Sequence, residues 1–320
     1  MTAGTETTVS GAPRPGGAGT LAGRPVSRVG YGAMQLERLA GDRAAAVALL
    51  RRAAELGVDH VDTAEFYGDG LVNGLISEAF GPKEIGSAAL RDGGGVLVVS
   101  KVGATPVRGG KVHLRLAQRP EELRASVEDN LRSLGTDQVP VVNLRRTDSG
   151  PGLRASGDQV VDLDDQLAVL TALRGEGKIG AIGLSSVSAG ILRRALPAGI
   201  VCVQNAYSLV ARDDEDMLAL CAAEGIAWVP FFPLGGAFAH LPKVQDEPVV
   251  RAVAESLGRT PAQVGLAWLL RHSPSVLLIA GTADCAHLEA NLEAGAVTLD
   301  DAALARLDAV TSRSAEVPLA

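Results

Sequence analysis

The chain has 320 residues and a formal net charge of −7, and 47% of its residues are hydrophobic. This length can bury one large core or two smaller ones, and the acidic balance argues against a nucleic-acid partner. The three cysteines (Cys202, Cys221 and Cys285) are far apart and the five histidines show no metal-binding spacing. The sequence therefore predicts neither a disulfide framework nor a metal site.

The N-terminal segment, residues 1–18, lacks the basic start and apolar stretch of a secretory signal. Its composition predicts a disordered leader. Apolar runs stay below about 18 residues along the whole sequence, so we predict no membrane span and expect the protein in the cytoplasm. A short hairpin is predicted next, at 20–28, with its turn at Ala22 and Gly23.

From residue 29 onward, short β-branched segments alternate with helical segments. Strands are predicted at 29–34, 60–66, 96–102, 139–144, 179–186, 200–208, 226–234 and 275–281. Helices are predicted at 42–57, 71–80, 120–135, 162–177, 188–196, 214–225, 245–258, 261–272, 284–293 and 300–310. Eight such units are typical of a parallel sheet covered by helices. We therefore predict an α/β fold, a (β/α)8 TIM barrel forming a single domain over 19–320, with a doubly wound open sheet as the alternative.

Ionisable residues near strand ends point to chemistry, because active sites of (β/α)8 barrels lie at the carboxyl ends of the strands. Asp62 and Lys101 interrupt two apolar strands, and a buried lysine needs an acidic partner. Such a pair is often only structural. Tyr67, shortly after Asp62, favours a catalytic role. A lysine cation beside a tyrosine lowers the pKa of the phenol, which would make Tyr67 a general acid near neutral pH.

Six segments at successive strand ends resemble those of the aldo-keto reductase superfamily, and the resemblance covers residues 19–311. They are VDTAEFYG (61–68), VSKVG (99–103), GLSS (183–186), VQNAYSL (203–209), FFPLGG (231–236) and IAGTADCAHLEAN (279–291). The resemblance implies reduction of a carbonyl compound by a nicotinamide cofactor without a Rossmann fold. Hydride passes to the carbonyl carbon, and Tyr67, supported by Asp62 and Lys101, gives a proton to the oxygen.

The resemblance also implies a cofactor site for NADPH, with NADH as the alternative. By position, its residues are Gly32, Ala33, Ser185, Ser186, Gln204, Phe231, Phe232, Pro233, Leu234, Gly235, Gly281, Thr282, His287 and Asn291. Ser185, Ser186 and Gln204 would hold the carboxamide, and Phe231 would stack on the nicotinamide ring. Gly281 and His287 stand where many members carry a lysine and an arginine, so the preference between the two cofactors stays open.

The chain departs from the family where the fourth strand ends. The resemblance places a catalytic histidine there, but this sequence has Asn143, Leu144 and Arg145, as do some bacterial members similar to pyridoxal reductases. Arginine cannot relay a proton, yet it can stabilise developing negative charge on a substrate oxygen. We predict Arg145 as the fourth catalytic residue. The alternative is a salt bridge from Arg145 to Asp62 or Asp148.

Arg146 should point away from Arg145 and be structural or solvent-facing. The GDGLVNG segment at 68–74 has the wrong glycine spacing for a dinucleotide-binding loop, and GLSSV is not the GxSxG elbow of a hydrolase. Loops 102–118 and 145–158, rich in Gly and Arg, are candidates for recognising a polar or anionic substrate, or are merely solvated.

The leading hypothesis is thus an NADPH-dependent aldehyde or ketone reductase, a monomer or weak homo-oligomer whose partner is a small-molecule carbonyl substrate. One alternative is a catalytically weak, nicotinamide-binding regulatory subunit of the same fold, suggested by the loss of the histidine and opposed by the retention of Tyr67 and Lys101. Another is an unrelated barrel enzyme such as an isomerase or hydrolase. The substrate, whether a pyridoxal-like aldehyde or a secondary-metabolite ketone, stays open.

Overall fold

The computed structural model describes residues 14–85, 94–107, 114–150, 153–236 and 241–313. The strands in these ranges are β1 (Ala18–Leu21), β2 (Arg24–Ser27), β3 (Val29–Gly32), β4 (His60–Asp62), β5 (Leu97–Val102), β6 (Ala104–Pro106), β7 (Leu114–Leu116), β8 (Val139–Arg145), β9 (Ile179–Ser185), β10 (Ile200–Gln204), β11 (Ala227–Trp228) and β12 (Leu278–Ile279).

The helices in these ranges alternate with the strands. They are α1 (Arg43–Glu55), α2 (Leu71–Phe80), α3 (Pro82–Ile85), α4 (Pro120–Leu134), α5 (Leu163–Gly175), α6 (Ala189–Ala195), α7 (Glu215–Ala223), α8 (Pro248–Leu257), α9 (Pro261–His272), α10 (Cys285–Glu293) and α11 (Asp301–Asp308). Short 3-10 helices occur at Ala33–Leu39, Gly157–Gln159, Leu196–Ala198, Val244–Asp246 and Ala294–Ala296.

Eight parallel strands form one sheet in the order β11, β10, β9, β8, β5, β4, β3, β12. The sheet closes on itself, because Trp228 of β11 forms a parallel bridge with Val276, just before β12. The Trp228 amide donates to the Ser275 carbonyl at 2.9 Å, and its carbonyl accepts from the Leu277 amide at 2.8 Å. The predicted (β/α)8 barrel is confirmed, and the open-sheet alternative is wrong.

The barrel interior is packed with small and branched side chains. Val99 of β5, Val141 of β8 and Cys202 of β10 share one buried cluster with Leu21 and Val26 of the N-terminal hairpin. The predicted hairpin is therefore confirmed, and it covers the amino ends of the barrel strands. This packing leaves the carboxyl ends as the open mouth, where parallel strands deliver their last side chains to one place.

Local signals in the sequence fix several helix ends. Asp42 accepts a hydrogen bond from the Ala45 amide at 3.0 Å and starts α1. The α4 helix begins with Pro120 and ends at Gly135, whose φ of 64° is left-handed. A reciprocal pair of hydrogen bonds between Thr260 and Gln263 starts α9. The predicted bounds of these helices agree with the structure to within two residues.

The largest differences from prediction are in the last two barrel strands. The sequence predicts strands at 226–234 and 275–281, but β11 and β12 contain two residues each. Pro230 and Pro233 have no amide hydrogen to donate to a neighbouring strand, so the pairing predicted for 226–234 ends early. After β11, an isolated parallel bridge joins Phe231 to Ala206. The β6–β7 hairpin and α3 are further elements that the sequence analysis does not anticipate.

Residues 14–18, just before the predicted start of the domain at residue 19, contact the rest of the barrel. The Pro15 carbonyl accepts from the Val29 amide at 3.1 Å and from the Ser27 hydroxyl at 2.8 Å. Arg14 pairs with Asp59 at 3.2 Å. Residues 1–13 of the predicted leader lie outside the described residues. Across the described ranges, every helix is too short or too polar to cross a membrane.

Candidate active site

A buried ion pair lies at the mouth of the barrel. Asp62 ends β4 and Lys101 lies in the adjacent β5, and their side chains are only 6% and 7% exposed. Lys101 Nζ donates to the two carboxylate oxygens of Asp62 at 2.8 and 2.7 Å, to the Thr63 carbonyl at 2.9 Å and to the Tyr67 hydroxyl at 3.1 Å. The residues predicted from neighbouring strand ends therefore meet in one hydrogen-bonded cluster.

The surroundings keep the lysine charged. Burial by itself would lower the pKa of Lys101, but the Asp62 carboxylate and the Tyr67 hydroxyl outweigh it and raise that pKa above its ordinary value. Gln204 of β10 also donates to Asp62 Oδ1, at 2.8 Å. Asp62 thus accepts hydrogen bonds on both oxygens, as a buried carboxylate requires.

The segment 63–70 places the tyrosine over this pair. The Tyr67 amide donates to the Ala64 carbonyl at 3.0 Å, and the ring packs edge-on against Phe66 at 5.3 Å between centroids. Gly68, Asp69 and Gly70 all have left-handed backbones, with φ of 62°, 55° and 83°. The two glycines of the GDGLVNG segment therefore allow the sharp turn from Tyr67 into α2. Their role is conformational.

The sequence analysis is wrong about the direction of the Tyr67 pKa shift. Burial raises the pKa of Tyr67 above its ordinary value, and this effect together with the negative Asp62 exceeds the lowering by Lys101 and Arg145. The sequence reveals the neighbouring cations but not how far the phenol is removed from water. Tyr67 is consequently a protonated hydroxyl at neutral pH, which is the form that can donate a proton.

Arg145 ends β8, where it pairs in register with Ser185 of β9. Its carbonyl is held by Gln118 Nε2 at 2.7 Å. A Cβ on Gly103 would lie 2.4 Å from that carbonyl, so glycine is needed there. Burial lowers the pKa of Arg145, with Tyr67 acting in the opposite direction. Its Nη1 is buried and has no hydrogen-bond partner among the described residues.

The alternative salt bridges for Arg145 are not formed within the described ranges. Asp62 pairs with Lys101, and Asp148 pairs with Arg146 at 2.8 Å. Arg146 also donates to the Val161 carbonyl at 3.3 Å and to the Gln166 side chain. Arg146 therefore ties the loop after β8 to α5, in agreement with its predicted structural role, while Arg145 remains at the mouth.

The residues predicted to bind the cofactor also follow the barrel strands around the mouth. Gln204 is fully buried, and its Oε1 has no partner among the described residues. This orphaned acceptor, beside the buried Ser185 and Ser186, could receive the amide of a nicotinamide. Ser186 and Phe232 have left-handed backbones with φ of 54° and 56°, a strained geometry that often occurs at ligand sites.

The other cofactor candidates have different surroundings. Gly32 and Gly281 pack backbone to backbone where β3 meets β12, since a Cβ on Gly32 would lie 2.4 Å from the Ile279 carbonyl. Glycine is thus needed at both positions because a side chain would collide with the backbone of the neighbouring strand. His287 is exposed near the start of α10, where its amide donates to Asp284 at 2.8 Å. The remaining candidates are Ala33, Phe231, Pro233, Leu234, Gly235, Thr282 and Asn291.

A buried polar network behind the site was missed by the sequence analysis. The Thr63 hydroxyl donates to Asn73 at 2.8 Å, and Asn73 donates to Asn130 at 3.0 Å and to Ser133 at 2.9 Å. Ser100, the residue before Lys101, donates to Asn130 at 2.5 Å. The network joins β4 and β5 to α2 and α4. The sequence does contain a signal for this network, namely polar residues on otherwise apolar faces of these strands and helices.

Comparisons with known proteins agree with this arrangement. A family model described as Aldo/keto reductase family matches residues 28–312. The chain is 41% identical to pyridoxine 4-dehydrogenase of Escherichia coli, over 91% of this chain and 97% of that protein. It is 33% identical to an uncharacterized oxidoreductase of Schizosaccharomyces pombe, over 88% and 86% of the two chains.

Solved structures of the same family share the fold. An aldo/keto reductase from Klebsiella pneumoniae in complex with NADP and acetate superposes with a TM-score of 0.68 at 27% identity, over 89% of this chain and 91% of that one. The matched family model spans nearly all of the barrel described above, including the segments that carry Asp62, Tyr67 and Lys101. The chain belongs to the aldo/keto reductase family.

Proposed function

We propose that the protein reduces an aldehyde or ketone to the alcohol with NADPH, and that Tyr67 is the proton donor. The observation that carries this proposal is the 3.1 Å contact between the Tyr67 hydroxyl and Lys101 Nζ, whose charge is held by Asp62. A neutral phenol beside a fixed cation can release its proton, because the cation stabilises the phenolate that remains.

Each residue then has one task. Tyr67 donates its proton to the carbonyl oxygen, Lys101 stabilises the resulting phenolate, and Asp62 holds Lys101 in place. Arg145, a fixed cation within electrostatic reach of Tyr67, stabilises negative charge that develops on the substrate oxygen. Bound NADPH supplies the hydride that reduces the carbonyl carbon. The phenolate takes its proton back from water.

Three observations support NADPH as the cofactor. The buried, unpartnered Gln204 Oε1 and the neighbouring Ser185 and Ser186 match the polar groups of a carboxamide. The Klebsiella pneumoniae relative with the same fold contains NADP. His287 at the start of α10 would lie toward the phosphate-bearing end, where a helix N-terminus favours an anion.

Pyridoxal is the leading candidate substrate. The Escherichia coli relative, 41% identical over nearly its whole length, is a pyridoxine 4-dehydrogenase, and reduction of pyridoxal at its aldehyde is the reverse of pyridoxine oxidation at that carbon.

The direct test follows NADPH consumption by its absorbance with pyridoxal and a panel of simple aldehydes and ketones, with the alcohol product quantified. Equal amounts of oxidised cofactor and alcohol would support the proposal. Binding of NADPH in a calorimeter without turnover of any carbonyl would favour the regulatory-subunit alternative. Absence of both binding and turnover would favour an unrelated chemistry.

A further inference from the structure

Arg145 has an unmatched positive charge in the mouth of the barrel. The two carboxylates considered as its partners are already paired, Asp62 with Lys101 and Asp148 with Arg146. Among the described residues, no carboxylate pairs with the Arg145 side chain, and its buried Nη1 donates to nothing. With Tyr67 neutral, the ionised cluster of Asp62, Lys101 and Arg145 therefore has an excess of one positive charge.

Arg145 as a whole is partly exposed, but its Nη1 is buried. A guanidinium nitrogen that is buried without an acceptor is unfavourable, because its lost hydration is not replaced. Native proteins rarely leave such a donor unsatisfied unless it has a catalytic role or a water, an ion or a ligand completes the site. Arg145 lies at the mouth, beside Ser185 and within electrostatic reach of the Tyr67 phenol. The missing acceptor is thus expected on the molecule that approaches Tyr67, which under the proposed function is the substrate.

The shape of the arginine side chain narrows the kind of acceptor. A guanidinium is a planar fork with parallel N–H groups that can hold two oxygens at once, and it favours an anionic partner. A substrate carbonyl offers one oxygen. A second, negatively charged oxygen beside it would use the rest of the fork and neutralise the excess charge.

We propose, resting on the function proposed above, that Arg145 selects aromatic aldehydes with an ionised hydroxyl on the ring carbon next to the one that carries the aldehyde. Arg145 holds the carbonyl oxygen and the phenolate oxygen together, which fixes the carbonyl against Tyr67. Pyridoxal has this arrangement. No bond is made or broken by Arg145, so hydride and proton transfer remain those of the carbonyl reduction.

The test compares 2-hydroxybenzaldehyde with 4-hydroxybenzaldehyde, which has the same atoms but a distant hydroxyl, and with 2-methoxybenzaldehyde, which cannot ionise. The wild-type protein should prefer the 2-hydroxy compound by about ten- to hundredfold in kcat/KM, the range of one charge-assisted hydrogen bond. Taking the ratio within each variant cancels any general loss of rate. Arg145→His and Arg145→Gln should bring the ratio close to one.

The matched control is Arg146→Gln, since Arg146 is already paired with Asp148; this variant should keep the wild-type preference. A wild-type ratio near one, or a preference that survives Arg145→Gln, would overturn the proposal.

A second measurement needs no turnover. The phenolate absorbance of 2-hydroxybenzaldehyde, titrated with pH in the presence of protein, should appear at lower pH with wild type than with Arg145→Gln, because a bound cation favours the phenolate. This shift without any aldehyde reduction would uphold the role of Arg145 while refuting the reductase function. An identical titration with both proteins would refute the role of Arg145 even if aldehydes are reduced.

Discussion

Replacing Lys101 with Met leaves the Asp62 carboxylate buried without its cation. Asp62 is 6% exposed and receives two hydrogen bonds from Lys101 and one from Gln204. After the replacement only the neutral Gln204 donor remains. Breaking one side of a buried ion pair costs about 3–5 kcal/mol of unfolding free energy, out of a typical total of roughly 5–15 kcal/mol.

The double replacement Asp62→Asn with Lys101→Met removes both charges. It should cost less than the sum of the two single replacements, because no uncompensated charge remains; we expect a coupling energy of about 2 kcal/mol. Urea titrations of wild type, both single variants and the double variant provide the four unfolding free energies, provided that the slope m is shared.

The matched control is Arg124→Met. Arg124 contacts Glu176 at 2.8 and 2.7 Å, the same distances as in the buried pair, but both side chains are about 40% exposed. Solvent screening should limit its loss to below about 1 kcal/mol. A Lys101→Met loss no larger than that of Arg124→Met, or strictly additive losses in the double variant, would refute the view that burial makes the Asp62–Lys101 pair strongly coupled.

Two further predictions concern the surroundings of this pair. Burial raises the pKa of Tyr67, and reduction requires the protonated phenol. With an aldehyde that has no ionisable hydroxyl, such as 2-methoxybenzaldehyde, kcat/KM should therefore stay level through neutral pH and fall only above pH ~10. A decline centred near pH 7 to 8 would contradict this. Asn130→Leu should lower the unfolding free energy by about 1–3 kcal/mol, because it leaves the Ser100 hydroxyl and an Asn73 donor unsatisfied. A urea midpoint unchanged from wild type would contradict this expected loss.

Features encoded by neighbouring residues were predictable from the sequence. The α2 and α9 bounds agree with the predicted 71–80 and 261–272, because caps and the helical period act over a few residues. The lengths of β11 and β12 were not predictable, since a strand extends only as far as its partner's backbone can be reached.

In the candidate site, too, some features were predictable from the sequence and others were not. The meeting of Asp62, Tyr67 and Lys101 at one end of the barrel follows from strand order and a family resemblance. The hydrogen bond from Gln204 to Asp62 joins residues far apart in the chain, and no local pattern announces it. The sign of the Tyr67 pKa shift depends on burial, which sequence neighbours do not determine. Whether Arg145 pairs with a carboxylate is likewise settled only by three-dimensional packing.

The most direct measurement is single-turnover reduction of an aldehyde by Tyr67→Phe with NADPH already bound. Loss of the general acid should slow the step by about 10²–10⁴-fold, while NADPH binding measured by calorimetry remains. Tyr207→Phe is the matched control, because the Tyr207 hydroxyl donates to Glu215 at 2.7 Å and takes no part in the cluster; its rate should remain that of wild type. A Tyr67→Phe protein that reduces the aldehyde within threefold of the wild-type rate would contradict proton donation by Tyr67.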